Sequence, residues 1–225
     1  MSTKLKIAAA VAAAVLLSAC SSPKHEPMPL VNFTPSMEVT EVWSKGLSSA
    51  EGFLVPAVYD DMVFAAGGKT LTRLNARTGE TEWSVSFDSP ITGGVGSDGY
   101  VTAVGLWDGN LEVVDAEGKV SWEKKLTTEL ASPPVVSHGL VIARTMDTRV
   151  SAFEASSGEL QWTYQKSQPA LTVRLPTRML AHDNFLLVGQ PNGHIVILDI
   201  ASGKPVFEFQ VAQAKGVTEV CLLYT

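Results

Sequence analysis

The sequence predicts an all-β fold, a β-propeller made of four-stranded antiparallel blades. Three observations support this prediction. The chain repeats itself about every forty residues, each repeat holds short apolar runs separated by tight turns, and no stretch after the N-terminal segment shows a convincing helical period. Repeats of this length with four strands each are typical of propeller blades, whose sheets pack face to face around an axis.

The composition limits the classes of function. Of the 225 residues, 45% are hydrophobic and 18% are charged, which predicts a packed core rather than a disordered chain. The formal net charge of -6 argues against binding to nucleic acid through charge. The two cysteines, Cys20 and Cys221, lie near opposite ends of the chain, so they predict neither a disulfide framework nor a cysteine-rich zinc site.

Residues 1–19 are predicted to be a processed signal. Two lysines precede an apolar run, 7–17, which is too short to span a bilayer, since a span takes about 20 apolar residues. The run is followed by Ser18-Ala19-Cys20, which resembles the end of the bacterial lipobox. The resemblance implies cleavage before Cys20, lipidation of its thiol and, from Ser21, sorting to the outer membrane. Acyl chains at Cys20 would anchor the protein by chain burial rather than by charge.

The rest of the chain divides by composition and repeat. Residues 20–38 are predicted to hold the lipidated cysteine and a flexible tether, because they contain four prolines and little patterned hydrophobicity. Residues 39–45 are predicted to form a leading strand that would complete the last blade of a closed ring. Residues 46–215 are predicted to form about four blades, and residues 216–225 an atypical tail.

An aromatic residue recurs in the last strand of each repeat. Trp43, Trp83, Trp122, Trp162 and Phe207 are separated by 40, 39, 40 and 45 residues. We expect the tryptophans to wedge between neighbouring blades, because each offers a large flat apolar area. Phe207 is expected to substitute for tryptophan in the fourth repeat.

A glycine precedes each of the last four aromatic residues by four positions. We expect these glycines to supply the positive φ of the turn into the outermost strand. They are Gly79, Gly118, Gly158 and Gly203. Asn75, Asp115 and Asp199 are expected to hydrogen-bond the turn backbone two residues on. A metal or sugar site built from the aspartates is the weaker interpretation, since a ligand site is seldom duplicated in every repeat.

The sequence predicts no catalytic residue, no cofactor site and no metal site. Residues 94–99 fit the G-x-G-x-x-G pattern of dinucleotide-binding proteins. The residues that follow, 100–104, have a strand pattern rather than the helix that such a site requires, so we interpret the motif as a blade turn. Neither G-x-S-x-G nor H-E-x-x-H occurs, and the four histidines fall in the tether or in turns.

The repeat also resembles a known family. The pattern Ala-x-x-Gly-Glu-x-x-Trp occurs at 76–83 and 155–162, and it is similar to the tryptophan-docking repeat of quinoprotein-type (PQQ-type) propellers. Together with the lipobox it resembles the BamB family of lipoproteins in the outer-membrane β-barrel assembly (BAM) machinery. Over 40–219, the resemblance implies a noncatalytic scaffold, lipid-anchored at the periplasmic face of the outer membrane, that binds BamA and assists unfolded outer-membrane proteins.

One loop carries the resemblance to a partner site. Residues 169–174 resemble the family's Leu-x-Leu-Arg loop, which contacts BamA, so the predicted partner-binding residues are Leu171, Thr172, Val173 and Arg174. Leu171 and Val173 would be apolar anchors and Arg174 a charged clamp, a combination typical of interface hot spots. From the residues alone, 171–173 fit equally well an ordinary strand with alternate side chains buried.

The sequence departs from the family pattern in two respects. Family members have eight blades, whereas this sequence holds about four, so the resemblance implies that it corresponds to an N-terminal half. After Glu219 the family continues with Ile-Asp and an acidic loop, whereas this chain reads Val-Cys-Leu-Leu-Tyr-Thr.

Two other classes of propeller remain as alternatives. A quinone-cofactor-dependent dehydrogenase uses the same blades but typically has an adjacent cysteine pair, which this sequence lacks. A cell-wall- or carbohydrate-binding propeller would use aromatic residues outside the repeat, for which Trp107 is the candidate tryptophan.

Overall fold

The computed structural model describes residues 37–48, 52–166 and 178–211. Within these ranges the second compact unit of the chain, 41–225, contains seventeen β-strands arranged in four sheets. The predicted all-β propeller fold is confirmed, since each sheet contains a four-stranded antiparallel blade. Within the same ranges no helix is both long and apolar enough to cross a membrane.

The strands follow one another along the chain, one blade at a time. The first strand is β1 (Phe53–Leu54). Blade 1 contains β2 (Ala57–Tyr59), β3 (Met62–Gly67), β4 (Thr70–Asn75) and β5 (Thr81–Ser86). Blade 2 contains β6 (Ile91–Ser97), β7 (Thr102–Leu106), β8 (Asn110–Val114) and β9 (Val120–Lys125). Blade 3 contains β10 (Val135–Ser137), β11 (Leu140–Arg144), β12 (Val150–Glu154) and β13 (Leu160–Tyr164). Blade 4 contains β14 (Met179–His182), β15 (Phe185–Gly189), β16 (His194–Asp199) and β17 (Pro205–Gln210).

Every blade is an antiparallel meander in which each strand pairs with the next one along the chain. The third and fourth strands of each blade share an irregularity in register, and it falls at equivalent positions in the four repeats. The positions are Arg73/Leu74, Val113/Val114, Ala152/Phe153 and Ile197/Leu198. An extra residue at such a point bends the outer strand and increases its twist, so the repeated sequence produces a repeated backbone shape.

Blade 2 has a fifth strand that the sequence did not predict. Strand β1 pairs in parallel with β6, the first strand of blade 2. The backbone N–H of Val55 donates to the carbonyl of Gly94 at 2.7 Å, and the N–H of Val95 donates to the carbonyl of Val55 at 2.8 Å. The segment before blade 1 therefore crosses to the free edge of the neighbouring blade and satisfies its backbone groups.

The interpretation of residues 94–99 as a blade turn was wrong for most of the motif. Its first four residues lie in β6, and only Asp98 and Gly99 belong to the turn that follows. The strand needs glycine because neighbours approach its backbone closely. A Cβ on Gly93 would lie 2.8 Å from the Leu130 side chain, and one on Gly96 would overlap the Pro134 carbonyl.

The hydrophobic core lies between the blades. One buried cluster joins blades 1 and 2 and includes Phe64 and Val104. A second joins blades 2 and 3 through Leu111 and Val141, and a third joins blades 3 and 4. Each sheet therefore buries its apolar side chains against its neighbours, as expected for face-to-face packing of sheets.

The segment that precedes the blades differs from its prediction. The described residues 37–48 contain no strand, although a leading strand was expected over 39–45. The expected strand would complete the sheet of a last blade, and the four described sheets do not include that blade. Trp43 nevertheless contacts blade 1, because its indole Nε1 donates to the Ala76 carbonyl at 2.9 Å.

Candidate protein-interaction site

The blades are joined by one repeated contact. The indole N–H of each of the four repeated tryptophans crosses to the next repeat and donates to a carbonyl oxygen there. The four pairs are Trp43 to Ala76 (2.9 Å), Trp83 to Ala116 (2.9 Å), Trp122 to Ala155 (2.8 Å) and Trp162 to Ile200 (2.8 Å). Each indole thus satisfies its polar group against the next repeat, and the rings of Trp83, Trp122 and Trp162 lie between two sheets, as suits a tryptophan with one polar group.

The turn glycines form the other side of this contact. Gly79, Gly118, Gly158 and Gly203 have φ values of 72°, 84°, 70° and 66°. A Cβ on any of the first three would lie between 2.6 and 2.8 Å from the preceding repeat's tryptophan ring, and a Cβ on Gly203 would overlap the Trp162 ring. These positions therefore need glycine for two reasons, the left-handed backbone and the close approach of an indole.

Side chains at the start of each turn hold its backbone. Asn75 Oδ1 accepts hydrogen bonds from the N–H groups of Arg77 and Thr78 at 3.0 and 3.1 Å. Asp115 and Asp199 accept equivalent bonds in their own turns. No group of three or more His, Cys, Asp or Glu side chains in the described ranges is arranged to hold a metal ion.

Phe207 occupies the position of the repeated tryptophan in blade 4 but is not wedged between blades. Its side chain is 60% exposed and contacts Phe209 on its own strand, with the ring centroids 5.8 Å apart. No blade among the described residues follows β17. The expected substitution for tryptophan stays a prediction, since no turn of a following repeat faces Phe207 among the described residues.

In each blade, the turn between the second and third strands lies at the same end as the loops that connect one blade to the next. Backbone hydrogen bonds join the two sets: Phe87 N–H to the Lys69 carbonyl, Leu126 N–H to the Gly109 carbonyl, each 2.9 Å, and Met146 N–H to the Glu129 carbonyl at 3.0 Å. We call this the connection end. These bonds hold its loops on the rigid sheets, a common arrangement for binding surfaces.

The connection end contains a buried cation between blades 3 and 4. Arg144, the last residue of β11, is 2% exposed, and its Nη1 donates to the Gly189 carbonyl at 2.7 Å. Burial lowers the pKa of Arg144 to about 10, so the guanidinium stays charged at neutral pH. Close by, Lys166 forms an ion pair with Glu208 of β17. Both contacts fix blade 3 to blade 4.

The residues predicted from the sequence to bind a partner lie outside the described residues. Leu171, Thr172, Val173 and Arg174 belong to 167–177, which connects blade 3 to blade 4, and the flanking residues Lys166 and Arg178 are described. Cys20, the predicted lipidation site, and the tail at 216–225 also lie outside.

Trp107, the candidate for a carbohydrate site, lies in the middle turn of blade 2 at the connection end. Trp107 is 61% exposed, and its backbone N–H donates to the Pro90 carbonyl at 2.8 Å. The neighbouring Asp108 accepts from the Ser89 hydroxyl at 3.1 Å. Trp107 is therefore held by a well-bonded turn whose polar groups are already engaged.

Comparison with known proteins identifies the family to which these repeats belong. A family model described as outer membrane protein assembly factor BamB matches residues 67–224, which is more than half of the chain. The chain belongs to the BamB family. A BamB from Burkholderia pseudomallei (strain K96243) is 38% identical over 218 residues, 94% of this chain and 57% of that protein. A BamB from Bordetella pertussis (strain Tohama I) is 31% identical over 211 residues, covering 91% of this chain and 55% of that protein. The chain thus spans little more than half the length of these BamB relatives.

Solved structures show the same architecture. The crystal structure of BamB from Moraxella catarrhalis matches with a TM-score of 0.61 at 28% identity, covering 70% of this chain and 48% of that one. A quinohemoprotein alcohol dehydrogenase from Pseudomonas putida HK5 matches with a TM-score of 0.60 at 18% identity, over 78% of this chain and 37% of that one. The second likeness concerns the fold alone, whereas BamB relatives are named as assembly factors rather than as enzymes.

Proposed function

We propose that this chain acts as a noncatalytic scaffold of the BAM complex, binding BamA and assisting the insertion of β-barrel proteins into the outer membrane. Membership of the BamB family over 67–224 is the observation that carries the proposal. The repeated contacts between blades support it, because the repeated Trp and Gly positions pack one blade against the next.

The proposed contact with BamA is the connection between blades 3 and 4. Leu171 and Val173 would enter an apolar surface of the partner, and Arg174 would pair with a carboxylate, since anchors of this kind dominate many interfaces. The rigid contacts on either side support the assignment. Arg144 and the Lys166–Glu208 pair join blade 3 to blade 4, so a loop between them would start and end on fixed points.

A pull-down with the periplasmic domains of BamA tests the assignment. The double variant Leu171→Ala, Arg174→Ala should bind at least about tenfold more weakly, because each hot-spot side chain typically contributes 2 kcal/mol or more. The matched control is Phe185→Ala, Lys204→Ala, which removes an exposed apolar side chain and an exposed cation from the other end of blade 4. Equal binding by the two double variants would refute the proposed contact.

We also propose that the protein is held at the periplasmic face of the outer membrane by lipid on Cys20. Several acyl chains on one residue give stable anchoring, whereas a single chain gives only marginal binding. Cys20→Ser should therefore move the protein from the outer-membrane fraction to the soluble periplasmic fraction. Retention of the variant in the membrane fraction after a high-salt wash would contradict lipid anchoring at this residue.

A further inference from the structure

A cleft of about 320 Å³ opens between blades 2 and 3 near the connection end. Its lining is apolar at Leu126, Ala143 and Phe153 and cationic at Lys124, Lys125 and Arg149. The volume falls in the range of pockets that bind small ligands or single side chains of a partner. None of the contacts that join the blades uses these three cations.

The cleft exists because one repeat breaks the pattern of the others. The residue two positions after the repeated tryptophan points to the same face of the outer strand. It is Val85 in blade 1 and Tyr164 in blade 3, and both pack against the apolar cores between blades. In blade 2 the same position is Lys124, whose side chain is exposed. A lysine does not fill an apolar interface, so a cleft remains.

Two of the cations have unused capacity to donate hydrogen bonds. Lys124 has no hydrogen-bond or ion-pair partner in the part of the chain that the structure describes. The Nε atom of Arg149 is buried without a hydrogen-bond partner, and its ion pair with Asp147 is long, at 3.8 Å. The third cation, Lys125, donates to the Asp108 carbonyl.

The acid beside the cleft offsets only one of the three positive charges, since Asp147 pairs with Arg149. Asp147 already accepts hydrogen bonds from the hydroxyls of Thr145 at 2.5 Å and Thr127 at 3.1 Å. Hydroxyl groups of Ser151 and Thr163 also line the cleft and can donate. The cleft therefore offers positive charge and donors above an apolar surface.

We propose that this cleft binds an acidic side chain, aspartate or glutamate, carried on an apolar segment of a partner protein. The carboxylate would accept from Lys124 and from the fork of Arg149, which suits a planar two-oxygen acceptor. Apolar neighbours on the same segment would cover Leu126 and Phe153. An inorganic anion would use the charges alone and leave the apolar lining exposed to water, so the lining favours a peptide. This inference does not depend on the proposed contact with BamA.

Titration of the full chain with two short peptides tests the inference. The peptides are acetyl-Leu-Glu-Leu-amide and acetyl-Leu-Gln-Leu-amide, which differ only in charge. We expect the glutamate peptide to bind at least about tenfold more tightly, because hydrogen bonds to charged groups contribute about 1.5–3 kcal/mol. Its advantage should shrink as salt is raised. The indole N–H signal of Trp122, whose ring lies 6.1 Å from that of Phe153, gives a local readout.

Lys124→Val places in blade 2 the residue that blade 1 has at this position. The variant should fold normally and lose the preference for glutamate, while Lys119→Ala should keep it, because Lys119 is an exposed lysine just before the other end of the same outer strand. If Lys124→Val does not fold, Arg149→Gln gives the same comparison. Equal binding of both peptides, or an unchanged preference in the variants, would overturn the proposal. So would inorganic phosphate binding as tightly as the glutamate peptide.

Discussion

Trp162 and Phe207 occupy the same position in neighbouring blades, and their surroundings are opposite. Trp162 is 8% exposed and donates to the Ile200 carbonyl at 2.8 Å, whereas Phe207 is 60% exposed. Both lie on the outer strand of a four-stranded sheet with the same register irregularity. The difference therefore comes from the next blade, which covers Trp162 and is not among the described residues after Phe207, since their own sheets are alike.

This comparison shows where the stability of the fold resides. The tryptophan of one repeat is buried by the turn glycine and carbonyl of the next, and the same holds at Trp43, Trp83 and Trp122. Stability is then the sum of blade stabilities and of contacts between nearest neighbours, as in other repeat proteins. A change in one of these contacts between a tryptophan and the next repeat's turn should act mainly on the two blades that share it.

The largest effect is expected from Trp162→Ala. Removing the side chain deletes a buried indole and leaves a cavity between blades 3 and 4, which typically costs about 3–5 kcal/mol of the free energy of unfolding. Urea unfolding followed by circular dichroism measures the loss. A cost below about 1 kcal/mol would show that the docking contact is not a main source of stability.

A smaller effect is expected at the glycine that Trp162 covers. Gly203→Ala should cost about 2–3 kcal/mol, because φ is +66° and the new Cβ would overlap the indole ring. The control is Gly139→Ala, where φ is +72° but nothing lies within 4 Å of the Cβ, so only the backbone cost of about 1 kcal/mol is expected. Equal losses would mean that backbone conformation alone requires glycine.

The packed interface between blades 1 and 2 also changes the pKa of a carboxyl group buried in it, that of Glu112. Glu112 is 6% exposed, on the face of β8 that packs against blade 1 through Val114. The pKa of Glu112 is raised to about 7, mainly by burial and also by the like charge and a hydrogen bond of its cross-strand neighbour Glu123. Asp108 and Asp88 add to the effect.

The raised pKa of Glu112 gives a pH-dependent prediction. The folded state binds more protons than the unfolded state between pH 4.5 and about 7, so stability should fall as pH rises through that window. Glu112→Gln should remove this dependence and stabilise the protein by on the order of 2 kcal/mol at pH 8, with little effect at pH 4.5. Thermal unfolding at both pH values measures the difference. The exposed Glu117→Gln is the control, and identical pH profiles for the two variants would contradict the prediction.

The blades could be predicted from the sequence because their signals are local. A turn glycine and a tryptophan four residues apart lie within one turn and one strand, so the period appears without knowledge of the partners. Strand β1 could not be predicted, since its two residues pair with β6 only after the chain has folded. The glycines of β6 resemble a turn in sequence, but contacts from Leu130 and Pro134 require them.

The candidate sites were predictable to different degrees. The docking tryptophans stand out by type, but the carbonyls of Ala116 and Ile200 that accept from them do not, because every residue has a carbonyl. Lys124 could have been found by comparing the residue two positions after each repeated tryptophan. The partner-binding role of Leu171 and Arg174 stays a prediction, since it rests on the resemblance and those residues lie outside the described ranges.

The smallest effect is expected from Phe207→Ala. An exposed side chain with one ring contact should cost less than about 0.5 kcal/mol, so the variant should unfold at nearly the same urea concentration as the parent chain. A loss close to that of Trp162→Ala would mean that another sheet covers Phe207 in solution. Repeating the measurement over a range of protein concentrations would then show whether a second copy supplies that sheet, because only association between chains makes the midpoint depend on concentration.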